Sequence, residues 1–308
     1  MEGIINTRNI TTYEMRDTLI FILTICTPLD LVIICGNAFV LIFIRQTPSL
    51  QVLQFTLIAS LALVDLLTGI IAVPLYVLAL VTRGDDYIKI DSCNLLYIPL
   101  KICLVTSFFH LLFITTDRYV SIIKPLKYRQ IVTQTRVFCA IIFSWITASA
   151  FSFTQLLWKG EGIFLCYQSI AAQRYMILIM FPTGMFLLIK MYFRIFMEAR
   201  KHRNTITAQN TVGTLTTVQK NVKAAKTSAL MVCCFIAAYL PYSSKVFIIL
   251  FIQRSEMYWY DLMSELFICI GSAVNPFIYV FRHKQFSSAL RRLLRNKVSG
   301  ELDSQLVQ

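Results

Sequence analysis

Residues 95–123 read LLYIPLKICLVTSFFHLLFITTDRYVSII, an apolar run closed near its end by Asp117-Arg118-Tyr119. A helix needs about 20 mostly apolar residues to cross the hydrocarbon of a bilayer, and this run is long enough. A charge at the bilayer centre costs about 2.5 to 3.5 kcal/mol on insertion scales, and less toward the interface. The acid and the base therefore either sit at a membrane edge with partners, or the run is not a span. The rest of the chain decides between these.

The chain has 308 residues, of which 57% are hydrophobic and 15% charged. Soluble globular chains carry about 25% charged residues, so the deficit points to an integral membrane protein. The mean hydropathy of +0.66 agrees. Seven apolar segments follow one another, at 18–44, 51–80, 93–122, 136–158, 173–199, 223–252 and 258–281. Only helices and closed barrels satisfy their backbone hydrogen bonds in lipid. The segments are too long and too evenly apolar for barrel strands of about 10 residues. The expected fold is all-α: one membrane domain of seven helices over 18–281, preceded by an outer N-terminus, 1–17, and followed by an inner tail, 282–308. Met1 to Arg16 lacks the basic-then-apolar order of a cleaved signal peptide, so the first apolar segment is expected to serve as the insertion signal.

The net charge of +13 raises the question of nucleic acid. The basic residues lie in short clusters between apolar segments and not on one folded face, so no nucleic-acid partner is expected. Lys and Arg concentrate instead at alternate segment ends. One side holds Arg45, Lys124, Lys127, Arg129, Arg136, Arg194, Arg200 and the tail cluster Arg282, Lys284, Arg291, Arg292, Arg295. The other side holds few bases and most of the acids, among them Glu14, Asp17, Asp85, Asp86, Asp91, Glu161 and Asp261. By the positive-inside rule the N-terminus is outside and the C-terminus in the cytoplasm. Asn9-Ile10-Thr11 is then a glycosylation acceptor on the outer side. Cys93 opens the third segment at its outer end and Cys166 lies in the outer loop between the fourth and fifth; they are the two cysteines on the oxidising side, where a disulfide between them is expected. The other seven read as small buried residues within spans.

The ordered motifs on these spans resemble the rhodopsin-like family of G-protein-coupled receptors. They are Gly36-Asn37-Ala38-Phe39-Val40, Leu61-Ala62-Leu63-Val64-Asp65, Cys93 twenty-five residues before Arg118 in Asp117-Arg118-Tyr119, Trp145, Phe235 with Pro241, and Asn275-Pro276-Phe277-Ile278-Tyr279. Phe281 to Leu294 places Phe286, Leu290, Leu293 and Leu294 on one face and looks like the family's membrane-surface eighth helix, its basic face suited to anionic lipid. The resemblance implies a plasma-membrane, multi-pass receptor with an extracellular ligand and a heterotrimeric G protein as partners, and no catalytic residues.

Each motif also has a physical reading. Asp65 is an acid in mid-membrane and must be paired, hold a cation, or be protonated. The resemblance implies an allosteric sodium ion at Asp65, with Asn37, Ser107, Ser272 and Asn275 as polar neighbours, and no other metal or cofactor. Gly271 stands where the family often has Asn, which removes one ligand. The resemblance makes Arg118 a switch, clasped by Asp117 at rest and freed on activation. Asn221 stands where many relatives have an acid at the base of span six, so the clasp rests on Asp117 and some ligand-free signalling follows. Pro276 removes a backbone hydrogen bond and kinks span seven. Asn275 and Tyr279 beside it make that kink a hinge, with Tyr192 in span five aligned as the partner of Tyr279. Tyr239 replaces the family's Trp before Pro241. Gly184 stands where the family has a span-five proline and Pro182 lies two residues earlier, so the span-five bulge is expected to be displaced.

Spacing around Ile123-Lys124-Pro125-Leu126 resembles receptors for biogenic amines, but their amine-pairing Asp is Leu100 here, followed by Lys101. Span two resembles adenosine receptors, whose span-seven His is Cys269 here. By family position Leu100, Lys101, Tyr239, Tyr242 and Glu265 line the ligand pocket, with Gln155 and Tyr167 next to them. Glu265 suits a cationic small molecule. Lys101 and Lys245 suit an acidic or lipid ligand, a peptide is a further alternative, and a pairing of Lys101 with Glu265 is an equal reading of these two residues. A transporter would show internal repeats with paired broken helices, and none is visible. A retinal-bound sensor needs a span-seven lysine, which Cys269 and its neighbours do not supply. His110, His202 and His283 are scattered and form no catalytic or metal set, so an enzyme is not expected.

Overall fold

The computed structural model describes residues 20–82, 95–157, 163–209, 229–230, 232–244, 246–248, 258–282, 286–292 and 295. The helices among them are α1 (Thr24–Gln46), α2 (Leu53–Ala79), α3 (Leu95–Ile123), α4 (Gln134–Leu157), α5 (Ile163–Gln209), α6 (Val232–Ser244), α7 (Tyr258–Arg282) and α8 (286–292). There is no strand among the described residues. Six of these helices are long and apolar enough to cross a membrane, and α6 is a shorter apolar helix within its described bounds.

The helices are apolar on both faces, as lipid requires. In α5 the stretch Tyr175–Glu198 has a mean hydropathy of 1.8, yet only 22% of it is buried. Ile179, Phe186, Ile189 and Phe193 lie exposed on its outer face. In a soluble protein such a face would need a partner; here it contacts hydrocarbon. α3 is the opposite case, 67% buried, and it is the central post. Its side chains Leu104, Val105, Phe108, Leu111 and Ile114 join one core cluster with Val40 of α1, Leu61 of α2, Ala148 of α4, Phe181 of α5, Phe235 of α6 and Tyr279 of α7.

Prolines set the local geometry. Thr68–Ala72 in α2 is a π-helical turn just before Pro74, where the Val73 N–H bonds to the Thr68 carbonyl. Widening the turn accommodates the hydrogen bond that a proline cannot make. α5 behaves otherwise. It stays regular α-helix through Pro182, and the displaced bulge expected there does not form among the described residues. α5 is also longer than its expected span of 173–199, at 47 residues. Residues 163–181 contain neither Gly nor Pro, so nothing in that stretch stops the helix, and Cys166 falls in α5 and not in a loop.

α8 is anchored as its pattern foretold. Phe286 is fully buried, its ring 4.5 Å from that of Phe43 and 6.4 Å from that of Phe39. Leu290 packs against the same core, while Leu293 and Leu294 lie outside the described residues. Phe286→Ala should cost about 3 to 5 kcal/mol of stability. A melting temperature in detergent within a degree of the parent's would contradict this anchoring.

Candidate functional site

The middle of the bundle is organised by Asp65, which is buried on α2. The Ser272 hydroxyl donates to its Oδ1 at 2.7 Å and the Asn275 side-chain amide donates to its Oδ2 at 2.8 Å. Both donors belong to α7 and lie one turn apart. Asn37 of α1 joins them, donating to the backbone carbonyls of Ile33 at 3.0 Å and Ser272 at 3.3 Å. Its own Oδ1 is buried without a hydrogen-bond partner among the described residues. Ser107 is buried on α3, and no bond from it to Asp65 stands among the described hydrogen bonds. Asp65 is a lone carboxylate with one hydroxyl and one amide N–H turned toward it. No group of three His, Cys, Asp or Glu that could hold a metal exists among the described residues. At Gly271 α6 approaches closely: a Cβ there would lie 3.0 Å from the Ala238 Cβ, so the neighbouring helix would have to give by a few tenths of an ångström. Gly36 likewise lets α1 pass Pro276, where a Cβ would meet the proline ring at 3.0 Å.

At the C-terminal end of α3 Arg118 and Asp117 are both buried. Arg118 Nε donates to Asp117 Oδ2 at 2.8 Å, and Nη2 forms a second, shorter contact to the same oxygen. This is the clasp expected from sequence. Two further members were not expected. Gln54 of α2 accepts from Arg118 Nη2 at 3.1 Å, and Tyr128, in the short inner helix Tyr128–Ile131, donates its hydroxyl to Asp117 Oδ1 at 2.7 Å. Both carboxylate oxygens are thus occupied and Arg118 is held from two helices. A tyrosine eleven residues after the acid carries no sequence signal by itself; the Pro125–Lys127 turn brings it back. Burial, and next the Asp117 carboxylate, push the Tyr128 phenol well above its usual value. It stays a neutral donor, so this bond's contribution is complete below pH about 10, the free phenol's value, and is lost only above it. Asn221 lies outside the described residues.

Tyr192 and Tyr279 are not bonded to each other, contrary to the expected pairing. The Tyr192 hydroxyl lies 3.4 Å from Thr115 Oγ1 on α3. Tyr279 is fully buried, and its hydroxyl has no hydrogen-bond partner among the described residues.

The expected pocket residues divide. Tyr239 is buried and stacks on Phe235, ring centroids 3.8 Å apart, and its hydroxyl donates to the Leu104 carbonyl at 3.4 Å. Tyr242 is half-buried against the same core. Leu100 turns toward α2, packed with Val64, Ala72 and Cys103. Lys101 is half-buried at the start of α3. Glu265 is buried and lines a cavity between α1, α2 and α7 together with Asp30, Tyr76 and Cys269. Asp30 is an acid inside span one that sequence reading passed over, although its position in an apolar run was the available signal. His110, dismissed as scattered, is fully buried. Its Nδ1 lies 2.7 Å from the Thr106 carbonyl and its Nε2 2.6 Å from the Ser60 hydroxyl. A carbonyl only accepts, so Nδ1 carries a proton, and His110 bridges α2 and α3. Lys245, Cys93 and Asn9 lie outside the described residues, as do the side chains of Gln155, Cys166 and Tyr167.

Sequence comparison meets this geometry at the family level. The family model described as 7 transmembrane receptor (rhodopsin family) matches residues 36–279. The chain belongs to the rhodopsin family of seven-transmembrane receptors. It is 28% identical over 290 residues to adenosine receptor A2a of Homo sapiens, covering 86% of this chain and 70% of that receptor. It is 28% identical to trace amine-associated receptor 7f of Mus musculus, over 88% of this chain and 81% of that one. Trace amine-associated receptor 7d of Mus musculus is 29% identical over the same shares. The chain is therefore a multi-pass membrane receptor that couples to a G protein in response to an extracellular ligand, and not an enzyme. In the receptor, Gln54→Ala or Tyr128→Phe removes one member of the cytoplasmic clasp. Each should raise ligand-free nucleotide exchange by up to about tenfold, equivalent to about 1.4 kcal/mol. Rates equal to the parent's in folded variants would show that the clasp does not restrain Arg118.

Proposed function

We propose that the receptor recognises a small organic cation whose charged head approaches the Glu265 and Asp30 carboxylates. The observation that carries this is the lining of the α1–α2–α7 cavity: the Glu265 and Asp30 carboxylates, and no basic side chain among the described residues that line it. Its free space, about 20 Å³, accommodates one water-sized group, so it fits an ammonium head and not a whole ligand. This favours the cationic reading of Glu265 over the anionic reading of Lys101. The relatives named for adenosine and for trace amines support a small molecule over a peptide. We also propose that the receptor works in the plasma membrane with its N-terminus outside, glycosylated at Asn9 and cross-linked between Cys93 and Cys166, with the basic tail on anionic lipid. Ligand binding shifts the equilibrium between the clasped and released states by its differential affinity for them.

A panel of aryl-alkyl primary amines, adenosine and short carboxylic acids, read by G-protein nucleotide exchange, tests the ligand class. Amines should activate the parent receptor. Glu265→Gln and Asp30→Asn should each weaken the response at least tenfold, while Lys101→Ala retains it. Activation by an acid that fails in Lys101→Ala would reverse the assignment.

Asp65, Ser272, Asn275 and the unpaired Asn37 oxygen support a sodium ion that holds the resting state. Raising sodium at constant ionic strength should lower ligand-free exchange in the parent and leave Asp65→Asn unchanged. Equal sensitivity in both would remove the ion from this site.

A further inference from the structure

Gly69 is buried in the π-helical turn Thr68–Ala72 of α2, with its bare face toward α1. A Cβ built on it would lie 2.6 Å from Ile34 Cγ1, 3.1 Å from Asp30 Oδ1 and 3.3 Å from Ile33 Cγ2. The first distance is shorter than real Cβ contacts, and the other two leave little room. One turn of α1 therefore presses on the glycine, and the Asp30 carboxylate is part of what presses. Asp30 and Ile34 are four residues apart on α1, so a displacement of the helix at Ile34 carries Asp30 with it. Asp30 Oδ1 is buried without a hydrogen-bond partner among the described residues.

Asp30 also lines the cavity that Glu265 reaches from α7, beside Val73 and Tyr76 of α2. How far apart the two carboxylates stand depends on how closely α1 lies against α2. Gly69 sets that approach. The free space of about 20 Å³ admits one water-sized group. A primary ammonium is that size, and its three N–H donors can serve a carboxylate on either side. Each N-methyl group replaces one donor with a carbon that the space does not admit. An alanine at position 69 would drive α1 away from α2. Asp30 would then withdraw from an ammonium head, and the wider cavity would exclude methyl groups less strictly.

We propose that Gly69 determines the specificity of this site: it seats Asp30 so that a primary ammonium is selected over N-methylated ones. The proposal rests on the cationic reading of Glu265 and Asp30. Among the described residues that line the cavity Gly69 is not one, so it is a positioning residue that acts through Asp30.

The test compares the parent, Gly69→Ala, Asp30→Asn and the double variant, as full chains in lipid nanodiscs. Benzylamine and benzyltrimethylammonium are the probes, read by nucleotide exchange on purified heterotrimers. Benzylamine should be the more potent on the parent by about tenfold or more. Gly69→Ala should lower benzylamine potency about tenfold and leave benzyltrimethylammonium within about twofold. Adding Gly69→Ala to Asp30→Asn should change benzylamine potency by less than about twofold, because the glycine acts through the acid. A glycine that only packs two helices would weaken both probes alike, in the Asp30→Asn background as well, and that result overturns the proposal. A readout without ligand separates it from the cationic reading. The infrared carboxyl band of Asp30, assigned by its loss in Asp30→Asn, should move in Gly69→Ala. A band that stays in place overturns the seating of Asp30. A band that moves in a receptor that neither probe activates overturns the cationic reading, and the selectivity with it. If Gly69→Ala alone does not fold, Gly69→Ala with Ile34→Ala removes the closest clash and keeps the Asp30 contact. Measured against Ile34→Ala, that variant should show the same loss of benzylamine potency, and equal potency in the two overturns the proposal.

Discussion

A carboxylate buried in a membrane protein cannot be left alone, and the Asp65 carboxylate dictates much of what surrounds it. Removing a charged group from water without compensation costs several kcal/mol even after relaxation. Compensation here comes from Ser272 and Asn275, one on each carboxylate oxygen. Both are on α7, so satisfying Asp65 sets the rotation and height of α7 against α2. Asn37 then ties α1 to the same turn through the Ser272 carbonyl. Pro276 follows directly, and Gly36 leaves it room. With that register set, Glu265, ten residues earlier, faces α1 and α2, and Tyr279, one turn later, points into the core.

Polarity is divided along the bundle. Toward one end of the bundle a cavity carries two carboxylates. At the other end Arg118 is held by Asp117 and Gln54, with Tyr128 also on Asp117. Between them lie the apolar core and a chain of aromatic rings on α3, α5 and α6. A signal crossing that distance must travel as displacement of packed helices, because no continuous run of hydrogen bonds joins the two ends among the described residues. Close-packed interiors suit this, since rings in contact cannot yield smoothly. Among the described helices, α6 meets α7 at Gly271 and α3 through Phe235, while its outer face, Leu240 included, meets lipid.

Much of this was legible along the chain. Segment length and hydrophobicity made the helices, loop charges oriented them, and Asp65 and the Asp117–Arg118 pair stood out as charges in apolar surroundings. The less legible features share a cause: they depend on which residue of another helix lies opposite. Gln54 and Tyr128 are ordinary polar residues until the inner turn brings them to Arg118 and Asp117. Asp30 was visible as an intramembrane acid but gains meaning only across from Glu265. Tyr192 and Tyr279 aligned by position yet reach different neighbours. The helix Ile163–Gln209 ran past its expected ends because hydropathy marks where lipid ends, not where a helix ends.

The amino-acid sequence by itself determined that this is a helical membrane bundle and which charges had to find partners. Those outcomes follow from transfer free energies, which are summed residue by residue and need no knowledge of neighbours. The tertiary structure alone decided which partners were found: α7 donors for Asp65, Gln54 and Tyr128 for the Arg118 clasp, and Gly69 as the seat for Asp30. Those depend on helix rotation and approach to within an ångström, where a single methyl group either fits or collides.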